Sequence, residues 1–351
     1  MPSFTADQLM DASSAIFIAA GASQEEAEIV ARLLVEANLT GHDSHGVIRI
    51  PQYLDAIEVG QITPGAQIEV VRDVPAAASI DGHYGFGQVV MDQAVEVALD
   101  KATKIGIAAV TVKGANHIGR LGSYVERLAQ QGIIGLLFVN AAGIPAYRMA
   151  PWGGTESRLA TDPLAVGIPT AAGEPLVLDM TTTVVAEGKV RVKRNRGEPT
   201  PDGWLLDAAG EPTNDPNVLY NEPRGSILPL GGEAAGHKGY GLNIAIELLA
   251  GALSGSGCVG KEQPLSNGVL LIALNVGRFR PLEEYYKEVD DFVAFTKSSP
   301  TAEGFDEILV PGEIEMRVRE ERMKTGIFIE DETWQQIVEW GHKLGQEVEV
   351  V

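Results

Sequence analysis

Apolar residues recur at helical spacing over Ile29, Val30, Leu33, Leu34 and Ala37, between a capping box of Ser23 with Glu26 and a stop at Gly41. A helix is predicted there. Thr5-Ala6-Asp7-Gln8 opens another in the same way, ending near Gly21, so residues 1 to about 60 read as helical. Residues 68–80 read as a strand pair around Asp73-Val74-Pro75, and 88–104 as a helix with Val89, Val90, Ala94, Val97 and Ala98 inward. Buried strands are expected over 105–112 and 133–140, with a helix over 123–130 between them. That order predicts an α/β sheet in the centre of the chain.

From 151 to 229 the chain is rich in Gly, Pro, Asp and Asn, with short strands near 164–168 and 175–179, and reads as a loop-rich region covering a site. A helix over 239–252, a strand over 268–276, a helix around 285–297 and a last helix over 331–344 complete the pattern. Neither an internal repeat nor a low-complexity tail is evident.

Composition narrows the possible functions. At 351 residues the chain can hold two or three domains or one large discontinuous unit, and 45% hydrophobic content supplies a sizeable core. The net charge of -21 argues against nucleic acid as a partner, since binding it requires a basic surface. It also repels anions, so a carboxylate ligand must be drawn in by local cations such as Arg49, Arg120, Lys189 or Lys238. Cys258 is the only cysteine, which precludes an intrachain disulfide and fits a reducing cytoplasm. No signal-peptide pattern opens the chain and no apolar run approaches membrane-spanning length, so a cytoplasmic protein without a membrane partner is expected.

The richest chemistry lies at Gly41-His42-Asp43-Ser44-His45-Gly46-Val47-Ile48-Arg49. His45 precedes Arg49 by four residues, a spacing that puts both on one face of a helical turn, and Asp43 or Ser44 stands where a cap would. An imidazole that moves a proton near neutral pH, beside a guanidinium fork that matches a carboxylate, is the minimum equipment for redox chemistry on a 2-hydroxy or 2-oxo acid. The residues alone leave open that His42 and His45 are surface residues of a helix-helix corner and Arg49 is solvated. A metal is disfavoured, because Asp43 is the only nearby acid and no HExxH pattern occurs.

No standard dinucleotide fingerprint or P-loop is present: the Gly82 to Gly87, Gly114 to Gly122 and Gly231 to Gly239 segments each miss the required spacing. Glycine-rich loops opening helices are the alternative phosphate donors, at Asn116 to Gly122 before a helix at Ser123 and at Gly231 to Gly241 before one at Leu242. His117 lies in the first. Asp179-Met180-Thr181-Thr182-Thr183 ends an apolar strand, where it can orient a ribose, a pyrophosphate or a histidine, or Thr182 or Thr183 can cap a helix over 184–190. Arg191, Lys193, Arg194 and Arg196 form a basic run that is either a solvated face or a phosphate contact.

Five ordered motifs carry a resemblance over nearly the whole chain. They are Gly41-His42-Asp43-Ser44-His45-Gly46 with Arg49 and Tyr53, Asn116-His117-Ile118-Gly119, Asp179-Met180-Thr181-Thr182, Gly236-His237-Lys238-Gly239-Tyr240-Gly241-Leu242 and Val310-Pro311-Gly312-Glu313. Together they resemble the non-Rossmann malate/L-lactate dehydrogenase family, which includes ureidoglycolate, sulfolactate, diketogulonate and cyclic-imine oxidoreductases.

The resemblance implies an NAD- or NADP-dependent oxidoreductase of α/β class, with a family-specific non-Rossmann NAD(P)-binding fold of mixed sheet and flanking helices, built as an intertwined homodimer. The expected division is 1–75 with 310–351 as a helical, substrate-side unit, and 76–309 as the cofactor-binding unit with a loop-rich insert at 151–230. By similarity His45, with Ser44 beside it, and His117 are the acid/base candidates, and Arg49 clamps the substrate carboxylate. Asn140, Asp179, Met180, Thr181, Thr182, His237, Lys238, Pro311, Gly312 and Glu313 are the implied cofactor contacts, and no metal is implied. Two positions depart from the commoner pattern: Asp162 in Thr161-Asp162-Pro163, where Asn is usual, and His237, where an aromatic residue is common. The substrate reading is a small malate- or lactate-like acid. A cyclic-imine-2-carboxylate reductase and a non-catalytic small-acid binding protein on the same scaffold are the alternatives.

Overall fold

The computed structural model describes residues 3–143 and 147–346; residues 1–2 and 347–351, at the ends of the expected helical unit, lie outside it. After β1 (Ser3–Phe4), helices α1 (Ala6–Ala19) and α2 (Gln24–Leu39) both open on the predicted capping boxes. α3 (Ile50–Glu58) follows two 3-10 turns, Asp43–His45 and Val47–Arg49.

β2 (Glu69–Val74) and β3 (Ala77–Gly85) form the expected antiparallel pair. α4 (Gly87–Ile105) then crosses to β4 (Ile107–Ala115), parallel to β3, and α5 (Gly122–Ala129) leads to β5 (Ile133–Ala142). β6 (Leu164–Ile168), β7 (Leu176–Met180) and, much later, β11 (Ser266–Asn275) complete a seven-stranded sheet of order β2-β3-β4-β11-β5-β6-β7. Every neighbouring pair but β3 and β4 is antiparallel, so the sheet is mixed. The expected strand over 105–112 is displaced: Ile105 ends α4, and both it and Ile107 are exposed.

Between β7 and β11 lie α6 (Glu187–Asn195), the small sheet of β8 (Leu205–Leu206), β9 (Pro212–Thr213) and β10 (Ser226–Ile227), and α7 (Gly232–Ile246), which runs on as a π-helical segment, Glu247–Ala252. α7 begins well before the expected start at Leu242. It kinks at Ala235 (φ -143°) and carries His237 and Lys238 in its body, so the glycines from 236 to 241 are helical rather than a loop. Gly236 and Gly239 are close-approach positions, where a Cβ would meet Trp152 at 2.5 Å and the Leu230 backbone at 2.5 Å.

α8 (Leu282–Lys297), α9 (Glu313–Thr325), β12 (Ile327–Phe328) and α10 (Asp331–Lys343) close the chain. β12 pairs with β1. α6 lies a few residues beyond the helix over 184–190 that the sequence offered as one reading, and α9 was not expected, since its charged sequence carries little apolar periodicity. Of the apolar clusters among the described residues, the three largest underlie the fold. One fills the space between the sheet and α4 and α5; a second joins α1, α2 and α3 to Ile327, Ile329, Trp334 and Ile337; a third lies within the insert, around Val190, Leu205 and Ile227.

Candidate active site

Gly41 (φ +79°) ends α2, and the chain then turns under the control of one buried side chain, Asn38. Its amide donates to the Asp43 carboxylate at 2.7 Å, and its oxygen accepts the Val47 N–H at 2.8 Å. Gly46 lies against it so closely that a Cβ there would stand 2.2 Å from Asn38 Oδ1. His45 and Arg49 consequently occupy two successive 3-10 turns, and the expected single helical turn is absent. Nor do Asp43 and Ser44 cap it: the Asp43 carboxylate takes a two-pronged bond from Arg322 of α9 at 2.6 and 3.0 Å, and the Ser44 hydroxyl lies 3.0 Å from His45 Nδ1.

His117 arrives from the loop between β4 and α5. Asn116 fixes that loop by donating to the carbonyls of Gln61, Tyr84 and Gly85, while the Asn116 and His117 carbonyls pack on Gly87, where any Cβ would approach within 2.2 Å. The His45 and His117 rings lie nearly parallel, with centroids 5.4 Å apart and planes at 21°. Tyr53 Oη stands 2.6 Å from His117 Nδ1 and accepts from Gln88 Nε2 at 2.7 Å. The site is therefore assembled from the end of α2, α3, the start of α4 and the end of β4.

Burial governs its electrostatics. The His45 imidazole is pushed down to about 3, by desolvation first and then by the Arg49 charge, with His42 and Arg120 adding to it. His117 is held well below the usual range by burial, Arg49 and His45. The Tyr53 phenol is pushed up to about 12, chiefly by burial. At neutral pH the site thus holds two uncharged imidazoles and one guanidinium, a combination that attracts an anion and is ready to accept a proton. Arg49 donates from Nε to the Ser44 carbonyl at 2.6 Å and from Nη1 to Gln52 Oε1 at 2.6 Å. The Gln52 oxygen takes one of the two Nη1 N–H groups, so the Nη2 pair and the second Nη1 N–H are the donors not used in these bonds.

The implied cofactor residues divide into groups. Asn140 is fully buried and spends its amide on Glu247, the Gly257 carbonyl and the Gly268 N–H, so it joins β5, β11 and the π-helical segment and is not brought to the histidines. Asp179 accepts the Gly122 N–H at 2.7 Å, occupying the start of α5, where the sequence suggested a phosphate. Met180 packs with Leu164 and Ile246. Thr181 and Thr182 donate to the carbonyls of Thr183 and Thr161, and neither Thr182 nor Thr183 caps α6, which starts at Ala186 without a side-chain cap.

His237 and Lys238 are exposed on α7. The His237 ring meets Trp152 edge-on at 5.9 Å, beside a cleft of about 450 Å³ lined by Trp152, Pro229 and Glu233. Pro311 and Gly312 lead into α9; the Pro311 carbonyl accepts from Val177 N–H, and Glu313 folds back onto the Val310 N–H and pairs with Lys297. Gly312 lines a second cavity, of about 480 Å³, with Arg120, Val177 and Glu315. An exposed ammonium and an imidazole beside a half-exposed indole fit a dinucleotide's phosphate and ring chemistry. The hydroxyls of Thr181 and Thr182 and the Asn140 amide are already bonded internally.

Sequence reasoning did not assign Gln52, Gln88 or Glu187 a role, and noted Tyr53 without one. Glu187, at the start of α6, binds Arg191 at 2.6 Å and the Tyr220 hydroxyl at 2.6 Å, and Gly188 packs on Ser44, so this helix of the insert flanks the site. Among the described residues no cluster of acids, histidines and cysteine could hold a metal ion. No described helix is long and apolar enough to cross a membrane.

Residues 4–338 match the family described as malate/L-lactate dehydrogenase. The chain belongs to that family and is an oxidoreductase, which sets aside the non-catalytic reading. It is 37% identical to a malate dehydrogenase of Pyrococcus abyssi over 97% of this chain and 94% of the relative. The solved sulfolactate dehydrogenase of Methanocaldococcus jannaschii superposes with a TM-score of 0.87 at 36% identity, covering 99% of this chain and 98% of that one. The delta1-piperideine-2-carboxylate reductase of Pseudomonas syringae pvar. tomato is similar at a TM-score of 0.82 and 29% identity, over 97% and 100% of the two chains.

Proposed function

We propose that this enzyme interconverts a small 2-hydroxy acid and its 2-oxo acid, using NAD or NADP. The observation that carries the reading is the pair of uncharged, stacked imidazoles 5.4 Å apart beside Arg49. Arg49 draws the carboxylate into the site against the net charge of -21 and fixes its plane. One imidazole takes the proton of the substrate hydroxyl; the other bonds its oxygen. A nicotinamide cofactor, when bound, supplies the hydride chemistry. His237 and Lys238 on α7, with the Pro311-Gly312-Glu313 turn and the stretch from Asp179 to Thr182, are the residues that would hold it.

Fluorescence titration with NADH and NADPH, followed by a spectrophotometric screen of malate-, lactate- and sulfolactate-type 2-oxo acids, tests the proposal. Saturable binding of one cofactor and turnover of at least one acid are expected, and saturable binding of neither would sink it. A second reading, reduction of a cyclic imine 2-carboxylate, is favoured by the likeness to the piperideine-2-carboxylate reductase and uses the same clamp with the proton delivered to nitrogen. Including such an imine in the screen separates the two. On the same reading the chain works in the cytoplasm as a homodimer of the two expected units, which fits the exposed Phe292 and Phe295 on α8 and Leu248 and Leu253 beyond α7. Sedimentation of a fully active monomer would contradict that assembly.

A further inference from the structure

The hydrogen bonds behind His117 carry more information than its position. Tyr53 Oη has two partners, Gln88 Nε2 at 2.7 Å and His117 Nδ1 at 2.6 Å; the His117 carbonyl, at 3.5 Å, is too distant to compete. An amide nitrogen only donates, so the bond from Gln88 occupies a lone pair of Oη and leaves the phenolic proton for the other partner. That partner is then Nδ1 acting as acceptor, and the ring proton resides on Nε2. The Gln88 carbonyl oxygen is buried without a partner among the described residues. Turning the amide over would instead leave its NH2 group, a double donor, unpartnered in the core, the costlier arrangement.

We infer that Tyr53 and Gln88 are positioning residues that hold His117 as its Nε2–H tautomer, so that it offers the bound acid's C2 oxygen a hydrogen-bond donor instead of a lone pair. The step rests on the proposed 2-oxo acid site. It divides the two histidines by role. His117 polarises the carbonyl or steadies the alkoxide, while His45, whose Nδ1 faces a Ser44 hydroxyl able to accept, is free to keep a lone pair on Nε2 and exchange the proton. The firmly protonated Tyr53 and the absence of an acid beside it keep the chain of bonds polarised in one direction.

Long-range proton–nitrogen correlation spectra of the 15N-histidine-labelled full-length protein read this directly, with His117 assigned by its loss in His117→Gln. The wild type at pH 7 is expected to give the Nε2–H pattern for His117. Gln88→Glu puts a carboxylate acceptor against Tyr53, turns the phenolic proton away from the ring and should convert His117 to the Nδ1–H pattern. In the same variant kcat for 2-oxo acid reduction should fall ~10²-fold, the scale for removing one oxyanion donor, with NADH affinity unchanged. Tyr53→Phe, which adds no buried charge, should give a mixture of tautomers. A wild-type Nδ1–H pattern, or one that neither variant moves, overturns the inference. The Nε2–H pattern in an enzyme that turns over no 2-oxo acid would instead refute the donor role toward that substrate while the tautomer assignment stands.

Discussion

Two clusters of buried polar side chains serve this molecule in opposite ways. Around His117 the inward-facing groups pair with neutral ones, Tyr53 with the ring, Gln88 with Tyr53 and Asn116 with three carbonyls, and only the Gln88 carbonyl oxygen lacks a partner among the described residues. The only formal charge there is Arg49, placed where a substrate can neutralise it. Around Asp162 two acids share the interior. Asp162 and Glu247 are each over nine-tenths buried, and the Asp162 carboxyl lies against that of Glu247 with the backbone N–H groups of Ala141 and Asp162 as its other polar neighbours. Burial and the Glu247 charge hold Asp162 well above the usual carboxylate range. The first cluster keeps its imidazoles uncharged beside a cation; the second raises the carboxyl of Asp162 and so favours its protonated form.

The largest effect that would break this contrast is on catalysis. His45→Gln should lower kcat by ~10²- to 10⁴-fold and remove one limb of the pH profile, with little change in NAD(P)H binding. His117→Gln should lower kcat by ~10²-fold, the scale for losing one oxyanion donor, and retain that limb. A near-normal kcat in the His45 variant, with the limb lost in the His117 variant, would reverse the roles.

Next in size is acid stability. The His45 pKa falls from the usual 6.5 to about 3 on folding, so its contribution is present above the unfolded value and is lost as pH drops from about 6.5 toward 3. Thermal melts should show the wild type losing stability across that window, and His45→Gln losing less. Binding a 2-oxo acid to Arg49 screens the repulsion that helps depress both rings, so complex formation should take up protons as pH falls from about 6.5 toward 3. Calorimetry in buffers of differing ionisation heat measures that uptake, and none would mean that Arg49 does not face the carboxylate.

Arg49→Met should weaken productive binding of the acid by ~1.5 to 3 kcal/mol, the scale of a charge-assisted hydrogen bond, and leave cofactor affinity near its starting value. Because Gln52 already holds Nη1, Gln52→Ala should strengthen or preserve binding of the acid where Arg49→Met weakens it. An unchanged kcat/KM for Arg49→Met would place the clamp elsewhere.

How much of this was legible in the sequence follows from physical range. Capping boxes at Thr5 and Ser23, the periodicity of α4 and the turn at Asp73-Val74-Pro75 between β2 and β3 are local signals, and the structure bears them out. The His45 and Arg49 neighbourhood was found by a helical spacing that the fold does not use. Asn38, Gly46 and Arg322 hold it together instead, and Arg322 lies far along the chain. His117 was visible as a polar residue after a buried strand, but its Tyr53 and Gln88 support depends on helix packing that no local pattern encodes. The glycines from 236 to 241 misled because glycine marks loops and close packing alike; Trp152 and Leu230 make Gly236 and Gly239 the latter.

The smallest effect tests the second cluster. Burial and Glu247 raise the Asp162 carboxyl well above its unfolded value of about 3.9, so its favourable contribution is complete below that value and declines as pH rises toward its folded pKa. Asp162→Asn replaces the shared proton with a permanent N–H donor toward Glu247, at almost the same volume. Stability at neutral pH should therefore increase by about 1 kcal/mol, with the gain vanishing below about pH 4. The slope of Tm against pH between 4 and 7 should flatten accordingly, while the acid loss attributed to His45 persists. A variant less stable than wild type at pH 7 would mean that Asp162 is ionised in the fold and held by a cation that the described residues do not include.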